Sequence, residues 1–487
     1  MQVSLEKLSP RTNDWPVKVL IRKQEEAWPQ EFSDFGLLFQ EEEDKEGSRL
    51  LRQARDSQLA ELLVLTIKAE ASIYDLQKSF KDLAAKLEEF SEKAIAVWLS
   101  PSFSDQEFTQ IARSLILLDN KFTDHIKSGY KNTLTAEDKE EEDQAKQVAL
   151  LTDRPGAADL LHEAESLAQA TALARRLVNE PANIMTPRQL AQEAQELAAE
   201  TGFEVQVLGE KAIRELGMEA YWSVAKGSAE EPHFIIMRYM NNPESKEILA
   251  LVGKGLCYDS GGYDLKPGSG MRLMNSDMAG SAAVIAAMGA LAREQAKVNV
   301  VALVAACENM VSGNAFHNGD IIGSLAGKSI EIMSTDAEGR LTLADAVTYA
   351  WQKEKATAIV DIATLTGAVI TALGDHVTGS ISDSEELWQA AAKASQLSGD
   401  KVWRLPIDED YEAKNKSERA DIKNGGIRGG GSITAGLFVR AFANATPFLH
   451  LDIAGTSYNE SGSDRAPKGA SGVGADLLYY LSKEFFA

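Results

Sequence analysis

Apolar runs and helical patterns alternate along the second half of this chain of 487 residues. Five continuous apolar runs have the length of buried strands, and they occupy residues 234–237, 248–252, 298–305, 358–362 and 448–453. Helical patterns separate several of these runs, and one of them covers residues 280–296. Strands without polar alternation, connected by helices, are typical of a mainly parallel sheet covered by helices. The pattern therefore predicts an α/β fold.

Two helical patterns precede these strands. Apolar positions recur at helical spacing over residues 160–177, and Pro181 ends this pattern because the residue before a proline disfavours helix. Thr186 and Pro187 then have the form of a cap and a first-turn proline that open a helix over residues 188–200. We expect the larger domain to begin with these helices.

The first 150 residues carry no motif with an evident chemical role. A short apolar run covers residues 59–65, and residues 80–94 predict an amphipathic helix. The charged run 137–143 is most simply a solvated linker or exposed turn, and a metal-binding tail is the alternative. A chain of this length exceeds what one core usually supports. We therefore expect a smaller N-terminal α/β domain over residues 1–150 and a larger domain over residues 151–487.

Charge and cysteine content restrict the partners and the compartment. The formal net charge of −23 argues against nucleic acid and anionic membranes, because both require a basic surface, although a local basic patch stays open. Cys257 and Cys307 are the only cysteines, so no disulfide framework is expected. The apolar stretch 281–292 is too short to span a bilayer, and the first residues show no signal pattern. These features predict a cytoplasmic protein.

Ionisable residues concentrate in two short windows flanked by glycines. The seven residues are Lys254, Asp259, Lys266, Asp277, Asp336, Glu338 and Arg340. Side chains alternate in extended backbone, so the last three are expected on one edge, beside a strand and before a helix. Ligands of α/β proteins bind where parallel strands end. Because four clustered carboxylates need compensating cations, divalent metals are the natural partners.

Each of these seven residues, taken alone, could have a structural role and no role in binding. A buried Asp or Lys is commonly half of an ion pair, and the glycines of residues 253–262 could form only a loop. The spacing of a phosphate-binding loop, G-x-x-x-x-G-K-[ST], is absent, and so are G-x-S-x-G and H-E-x-x-H. His317 and His450 lie outside both windows and are expected on the surface or in the core. An oxygen-rich site suits Mg²⁺ or Mn²⁺, and Zn²⁺ also accepts carboxylates.

The two windows resemble the leucyl aminopeptidase (cytosol aminopeptidase) family. The shared motifs are residues 252–262, 266–267, 276–278 and 335–341, followed by residues 312–316, 363–368 and 450–455. The resemblance covers roughly residues 160–487 and keeps the order and spacing of all seven ionisable residues. It does not extend to the first 150 residues, as is usual for the variable N-terminal domain of that family. The larger domain is therefore expected to be catalytic.

The resemblance implies an aminopeptidase with two divalent metal ions, zinc or manganese. The implied metal ligands are Lys254, Asp259, Asp277, Asp336 and Glu338, with Asp259 and Glu338 bridging. Lys254 can ligate only as a neutral amine. Lys266 would polarise the scissile carbonyl, and Arg340 would hold a bicarbonate that acts as general base. The metals would bind the free α-amine of the substrate and activate a water as hydroxide, so only N-terminal residues are removed.

The same resemblance implies a substrate pocket and a homo-hexamer. The pocket for the first side chain would be lined by Met274, Thr364, Gly367 and Ala454. Its apolar lining favours N-terminal leucine or another apolar residue, in peptides with a free N-terminus. The alternative is a DNA-binding regulatory or scaffold member of the family. The net charge argues against DNA, and the presence of all seven residues argues against an inactive scaffold.

Several positions depart from the family pattern without removing an implied ligand. Ser334 stands where asparagine is usual, and Asn275 where lysine or arginine is common. Cys257 and Tyr258 replace a Thr-Phe pair, and the pair at residues 263–264, Tyr-Asp, replaces Ile-Ser. These departures bear on substrate and metal preference more than on catalysis.

Overall fold

The computed structural model describes residues 2–6, 17–26, 28, 46–55, 58–90, 94–118, 120, 147–426 and 428–487. The chain forms two compact units, one of residues 1–168 with 463–467 and one of residues 169–462 with 468–487. The division falls within the helix Ala157–Asn179. The charged run 137–143, for which a linker is predicted, lies outside the described residues.

The first unit contains a six-stranded sheet. Its strands, in spatial order, are Gln2–Glu6, Gln147–Leu151, Ala94–Leu99, Val17–Lys23, Gln58–Ile67 and Gly47–Arg55. All neighbours are parallel except the last pair. The helices Ile73–Leu87 and Asp105–Leu117 each begin after a serine whose hydroxyl accepts a backbone N–H of the first turn.

One prediction for this unit is wrong in position. The sequence predicts a helix over residues 80–94, but the helix ends at Leu87 and a strand begins at Ala94. Ser72 caps the helix N-terminus and fixes its start seven residues before Phe80. The strand Ala94–Leu99 is buried over most of its length, as an interior strand of the sheet requires.

The second unit contains an eight-stranded sheet. In spatial order its strands are Val402–Arg404, Thr378–Ser382, Phe448–Asp452, Ala358–Ala363, Leu249–Asp259, Asn299–Asn309, His233–Met240 and Glu204–Leu208. The four central strands are parallel, and antiparallel pairs lie on both sides of them. All five predicted strands are present, and the α/β fold with a mainly parallel central sheet is confirmed.

Helices cover this sheet and connect its strands. The helices of this unit are the part of Ala157–Asn179 from residue 169 onward, Pro187–Thr201, Glu210–Glu215, Glu219–Ala225, Gly268–Met271, Ala279–Arg293, Gly339–Gln352, Gly367–Leu373, Glu385–Ser398, Glu409–Ala413, Gly431–Arg440 and Ala475–Phe485. A 3₁₀ helix spans Met274–Met278. Short strands at Ile321–Ile322, Ile330–Glu331 and Ile422–Lys423 form one small sheet, and Tyr458–Asn459 with Gly469–Ala470 form another. None of the helices in the described ranges has the length and apolar character that crossing a membrane requires.

The central strands are buried on both faces. Alternate residues of the strand Leu249–Asp259, such as Ala250 and Val252, belong to the apolar core that includes Leu343 and Val347. The intervening face approaches the helix Ala279–Arg293 closely, because a Cβ on Gly253 would lie 2.7 Å from Ser281 Cα. This packing places the residues that precede the helix beside the sheet.

Candidate active site

Two neighbouring parallel strands end at the centre of the site. Lys254 and Asp259 lie on the strand Leu249–Asp259, and Asp259 is its last residue. The adjacent strand ends at Asn309, which pairs with Asp259 in register. The carboxyl ends of parallel strands are where α/β proteins bind ligands, so the sheet brings these polar residues to the expected edge.

A tight loop returns the chain from Asp259 to Lys266. Gly261 and Gly262 adopt φ values of 86° and 61°, a left-handed backbone that side-chain-bearing residues rarely take. The N–H of Lys266 donates to the carbonyl of Ser260 at 2.9 Å and closes the loop. The Lys266 ammonium thereby lies 2.9 Å from Asp259 Oδ2.

The second window does not form the extended edge that the sequence predicts. The strand before it ends at Glu331, and a turn leads to a helix that begins at Gly339. Arg340 therefore lies in the first helical turn instead of alternating with Glu338. Gly339 must pass close to Lys254, since a Cβ at this position would lie 2.6 Å from Lys254 Nζ. The turn still brings Asp336 and Glu338 to the strand ends.

Three buried residues, Lys254, Asp277 and Glu338, form what we call the inner group. Lys254 Nζ lies 2.8 Å from Asp277 Oδ2 and 3.0 Å from Glu338 Oε1. It also donates to the carbonyl of Thr364 at 3.0 Å. The Thr364 hydroxyl donates to Asp277 Oδ1 at 2.7 Å. The ammonium is thus held between two carboxylates that have little contact with solvent.

A second ammonium bridges two further carboxylates in the outer group, which consists of Asp259, Lys266 and Asp336. Lys266 Nζ lies 2.9 Å from Asp259 Oδ2 and 2.5 Å from Asp336 Oδ1. One carboxylate oxygen each from Asp259, Asp336 and Glu338 lie within 4.8 Å of one another. The two groups therefore share a single acidic centre.

The centre holds more negative than positive charge. Four carboxylates face two ammonium groups, an excess of two negative charges. Burial raises the pKa of Glu338 and Asp277; Asp259 raises the pKa of Glu338 further, whereas Lys254 opposes the rise at Asp277. Burial alone would lower the pKa of Lys254, but its carboxylate neighbours outweigh burial and raise it. Burial is thus the main cause of the raised pKa at the two carboxylates, and the neighbouring carboxylates are the cause at Lys254.

One carboxylate oxygen in the centre makes no hydrogen bond within the described structure. Glu338 Oε2 is buried and has no hydrogen-bond partner among the residues that the structure describes. A buried anionic oxygen without a partner is costly. The donor set of the inner and outer groups therefore fits an additional cation.

Arg340 lies beside the acidic centre without an ion pair among the described residues. Its Nη1 donates to the carbonyl of Asn424 at 2.7 Å, and its buried Nε has no hydrogen-bond partner in the described part of the chain. Burial lowers the pKa of Arg340 to about 10, although Glu338 and Asp452 act in the opposite direction. The guanidinium therefore has donor capacity that these contacts do not use.

Two of the four predicted pocket residues follow strands of this sheet, and the other two are the first residues of helices. Met274 opens the 3₁₀ helix that carries Asp277, and Thr364 follows the strand Ala358–Ala363. Gly367 begins a helix, and Ala454 follows the strand Phe448–Asp452. Asp452 links two of these segments, since its Oδ1 accepts the backbone N–H groups of Leu365 and Ala454 at 3.1 and 3.2 Å.

Two asparagines that sequence reasoning missed hold the ligand-bearing segments. Asn309 donates through Nδ2 to Asp259 Oδ1 at 2.8 Å and to the carbonyl of Thr335 at 3.0 Å. Asn424 accepts the N–H of Met333 at 2.8 Å and donates to the carbonyl of Ser334 at 2.7 Å. In the sequence Asn309 follows an apolar run that predicts a strand, which could have indicated its place at the site. Asn424 has no such signal.

Asn275, which stands where lysine or arginine is common in the family, contacts the end of a helix. Its Nδ2 donates to the carbonyls of Val178 and Glu180 at 3.0 and 3.1 Å. These carbonyls lie at the C-terminus of the helix Ala157–Asn179, where helices leave acceptors unsatisfied. Asn275 thus caps a helix end.

The histidines lie where the sequence predicts them, outside the acidic centre. The His317 side chain is 57% exposed and stacks on Tyr263 with ring centroids 5.0 Å apart. His450 is buried, with Nδ1 2.7 Å from Asp361 Oδ2. Cys257 is buried and free, as expected of a small apolar residue.

The fold and the centre together define an α/β protein with a buried acidic site, suited to cations, where parallel strands end. The family model for the catalytic domain of the cytosol aminopeptidase family matches residues 172–479. The chain belongs to this family. The resemblance seen in the sequence is confirmed, and the chain is an aminopeptidase, a hydrolase of peptide bonds.

Relatives and a solved structure extend this match. The chain is 44% identical over 437 residues to the probable cytosol aminopeptidase of Clostridium tetani (strain Massachusetts / E88), covering 87% of each protein. It is 52% identical over 323 residues to the probable cytosol aminopeptidase of Clostridium perfringens (strain 13 / Type A), covering 66% of each. The bottromycin maturation enzyme BotP in complex with Mn has a TM-score of 0.82 and 28% identity, over 96% of this chain and 98% of BotP.

Proposed function

We propose that this chain removes N-terminal residues from peptides with two divalent metal ions, zinc or manganese, bound at the acidic centre. The observation that carries the proposal is the excess of buried carboxylates, with Glu338 Oε2 lacking a partner among the described residues. Carboxylate oxygens suit Mn²⁺, and Zn²⁺ also accepts them. The similarity to BotP, whose structure is a complex with Mn, supports a metal at this position.

The ligands divide according to the two groups. Lys254 and Asp277 of the inner group would complete one metal site, and Asp336 of the outer group the other. Asp259 and Glu338, each with an oxygen within 4.8 Å of one from Asp336, would contribute to both sites. Lys254 would have to lose its proton, and a cation between Asp277 and Glu338 would replace the charge of the ammonium and favour the neutral amine.

When bound, two such cations would supply Lewis acidity and an activated water. Lys266 would then polarise the scissile carbonyl and stabilise the negative charge that develops on its oxygen. Its ammonium is already oriented by Asp259 and Asp336 at 2.9 and 2.5 Å. Arg340, oriented by Asn424, would hold a bicarbonate ion, which would supply a general base.

Substrate choice would follow from the site and the pocket. Recognition of a free α-amine in the acidic centre would restrict cleavage to the N-terminal residue. Met274, Thr364, Gly367 and Ala454 would contact the side chain of that residue, favouring leucine and other apolar residues. One methylene in such a pocket changes the transition-state free energy by only about 1–3 kcal/mol, so related apolar residues should be cleaved at graded rates.

Family membership supports three further features of the proposal. The enzyme would act as a homo-hexamer, in the cytoplasm, on peptides with a free N-terminus. The net charge of −23 supports the exclusion of nucleic acid and anionic membranes as partners.

Hydrolysis of leucine p-nitroanilide tests the proposal. Chelator-treated parent protein should regain activity with Mn²⁺ or Zn²⁺, Glu338→Ala should abolish activity, and Lys266→Ala should lower turnover by about a hundredfold or more. Asp421→Asn, at a surface carboxylate that contacts Ser329, serves as the control and should behave as the parent. Equal activity in chelator, or no release with any metal across free and N-acetylated aminoacyl substrates, would refute the proposal.

A further inference from the structure

A buried threonine joins the two loops that carry the predicted ligands. We call residues 260–266 the first loop and residues 332–338 the second loop. Thr335 of the second loop is fully buried, and its hydroxyl accepts the N–H of Asp264 and donates to the carbonyl of Gly261, both at 2.8 Å. Its carbonyl accepts from Asn309 at 3.0 Å. The first loop therefore wraps around Thr335.

The carboxylate of Asp264 completes this junction with three hydrogen bonds. Its Oδ2 accepts from the Ser334 hydroxyl at 2.8 Å and from the Thr335 N–H at 3.0 Å. Its Oδ1 accepts from Asn318 Nδ2 at 2.7 Å. Hydrogen bonds to an ionised carboxylate are roughly twice as strong as neutral ones. Asp264 is thus the main acceptor that the first loop offers to the second.

The junction continues to the backbone of Asp336. The Ser334 hydroxyl, which donates to Asp264, accepts the N–H of Asp336 at 3.2 Å. A continuous path therefore runs from the Asp264 carboxylate through Ser334 to the residue that is predicted to ligate the outer cation. Ser334 and Asp264 are also two of the positions that depart from the family pattern, and here they are direct partners.

Few contacts besides this path reach Asp336 itself, whereas Asn309 and Asn424 hold the backbone on either side of it. Its side chain is 38% exposed, and Lys266 is its only ion-pair partner in the described part of the chain. Metal coordination tolerates shifts of only about 0.2 Å in ligand distance. A small movement of the second loop should therefore be felt most at the cation bound by Asp336. In the inner group Lys254 and Asp277 lie on other segments, and Glu338, at the end of the second loop, is buried at the start of the helix Gly339–Gln352.

We propose that Asp264 is a positioning residue that sets the affinity of the outer cation, by holding the backbone of Asp336 through Ser334 and Thr335. The inference rests on the proposed function, in which cations bind at this centre. It adds a residue outside the ligand set and assigns it to one of the two cations.

Calorimetric titration of the chelator-treated full chain with MnCl₂ tests this inference. The variants are Asp264→Ala, Ser334→Ala and Ser334→Thr, compared with the parent. In the two alanine variants one of the two Mn²⁺ affinities should fall by about tenfold, the lower end of the range for partners of metal ligands, while the other affinity stays constant. Ser334→Thr keeps the hydroxyl and should bind as the parent does.

A matched control is available elsewhere in the chain. Asp421 Oδ2 accepts the N–H and the hydroxyl of Ser329, both at 2.8 Å, so it has one hydroxyl and one N–H donor, as Asp264 Oδ2 has from Ser334 and Thr335. Asp421 does not contact either ligand loop in the described structure, so Asp421→Asn should leave both Mn²⁺ affinities unchanged.

Each outcome of the titration decides the inference. Two parent-like affinities in Asp264→Ala and Ser334→Ala would overturn it while leaving the proposed function intact. Failure of the parent to bind either Mn²⁺ or Zn²⁺ in the same titration would overturn both. If Asp264→Ala also lowers the unfolding temperature, the comparison of Ser334→Ala with Ser334→Thr decides: weaker outer binding in the alanine variant alone supports the inference, and equal binding in both overturns it.

Discussion

The inner and outer groups use the same chemistry in different surroundings. In the inner group the side chains of Lys254, Asp277 and Glu338 are 4%, 7% and 1% exposed. In the outer group the side chain of Asp259 is 2% exposed, but those of Lys266 and Asp336 are 19% and 38% exposed. Charges interact strongly where water is excluded, but removing one partner there leaves the other uncompensated. The inner group should therefore depend on complete charge pairing and close packing, and the outer group on the loops that hold it.

The largest difference should appear when each lysine loses its charge. Lys254→Met leaves Asp277 and Glu338 buried without their ammonium, which should lower the free energy of unfolding by about 4 kcal/mol. Lys266→Met removes a partly solvated ammonium, and the buried Asp259 keeps its hydrogen bonds from Gly261 and Asn309, so the cost should be smaller, about 2 kcal/mol. Urea unfolding of chelator-treated proteins at pH 8, where the carboxylates are most ionised, measures both values. Equal costs would show that burial does not distinguish the two groups.

Packing around Lys254 offers a second way to break the inner group. In Gly339→Ala the new Cβ would lie 2.6 Å from Lys254 Nζ, so either the lysine or the start of the helix must move. A displacement of about 1 Å at a catalytic group can lower turnover by about a hundredfold, and a loss of that size is expected in the p-nitroanilide assay.

Gly313→Ala is the matched control for this substitution. Apart from the adjacent residues, no atom of the described structure lies within 4 Å of the Cβ that it adds, so its activity should equal that of the parent. If Gly339→Ala keeps full activity as well, the helix start can yield, and close packing is not what fixes Lys254.

The elements that position the site could be read from the sequence because their signals are local. Continuous apolar runs identify the central strands, and Asp259 lies at the end of one of them. The seven ionisable residues stood out by density and by family motif, and the structure brings six of them into contact as ion pairs. Arg340 lies beside them and contacts Asn424 instead.

The parts that could not be predicted depend on contacts between distant positions. Asn309 reaches Asp259 over 50 residues of sequence, and Asn424 reaches Ser334 over 90. The extended edge expected for Asp336 and Arg340 failed for a related reason. Alternation assumes a strand, but a strand continued past Glu331 could not turn to bring Glu338 to Lys254.

A buried carboxylate outside the site shows the effect of burial on a pKa without the effect of neighbouring acids. Asp345 lies on the helix Gly339–Gln352 and accepts the N–H groups of Tyr221 and Leu325 at 2.9 and 2.8 Å. Burial raises the pKa of Asp345 to about 7, against the effect of these hydrogen bonds. Unlike Glu338, it has no lysine within ion-pair distance among the described residues.

The raised pKa predicts a small pH-dependent loss of stability. Below about pH 4 the carboxyl is protonated in both the folded and unfolded states, so its contribution to stability is fully present. As the pH rises to about 7 the unfolded chain loses this proton while the folded chain retains it, and stability is lost. Between pH 5.5 and 7 the parent should lose about 2 kcal/mol through this group, at 1.36 kcal/mol per pH unit.

Asp345→Asn removes this titration and isolates it from the others. The variant loses one acceptor for a backbone N–H, a cost that does not vary with pH. In chelator the remaining groups titrate alike in both proteins. The stability advantage of the parent over the variant, measured by urea unfolding, should therefore shrink as the pH rises from 5.5 to 7. A constant difference would mean that burial alone does not hold a proton on this carboxyl, and that the raised pKa of Glu338 requires its acidic neighbours.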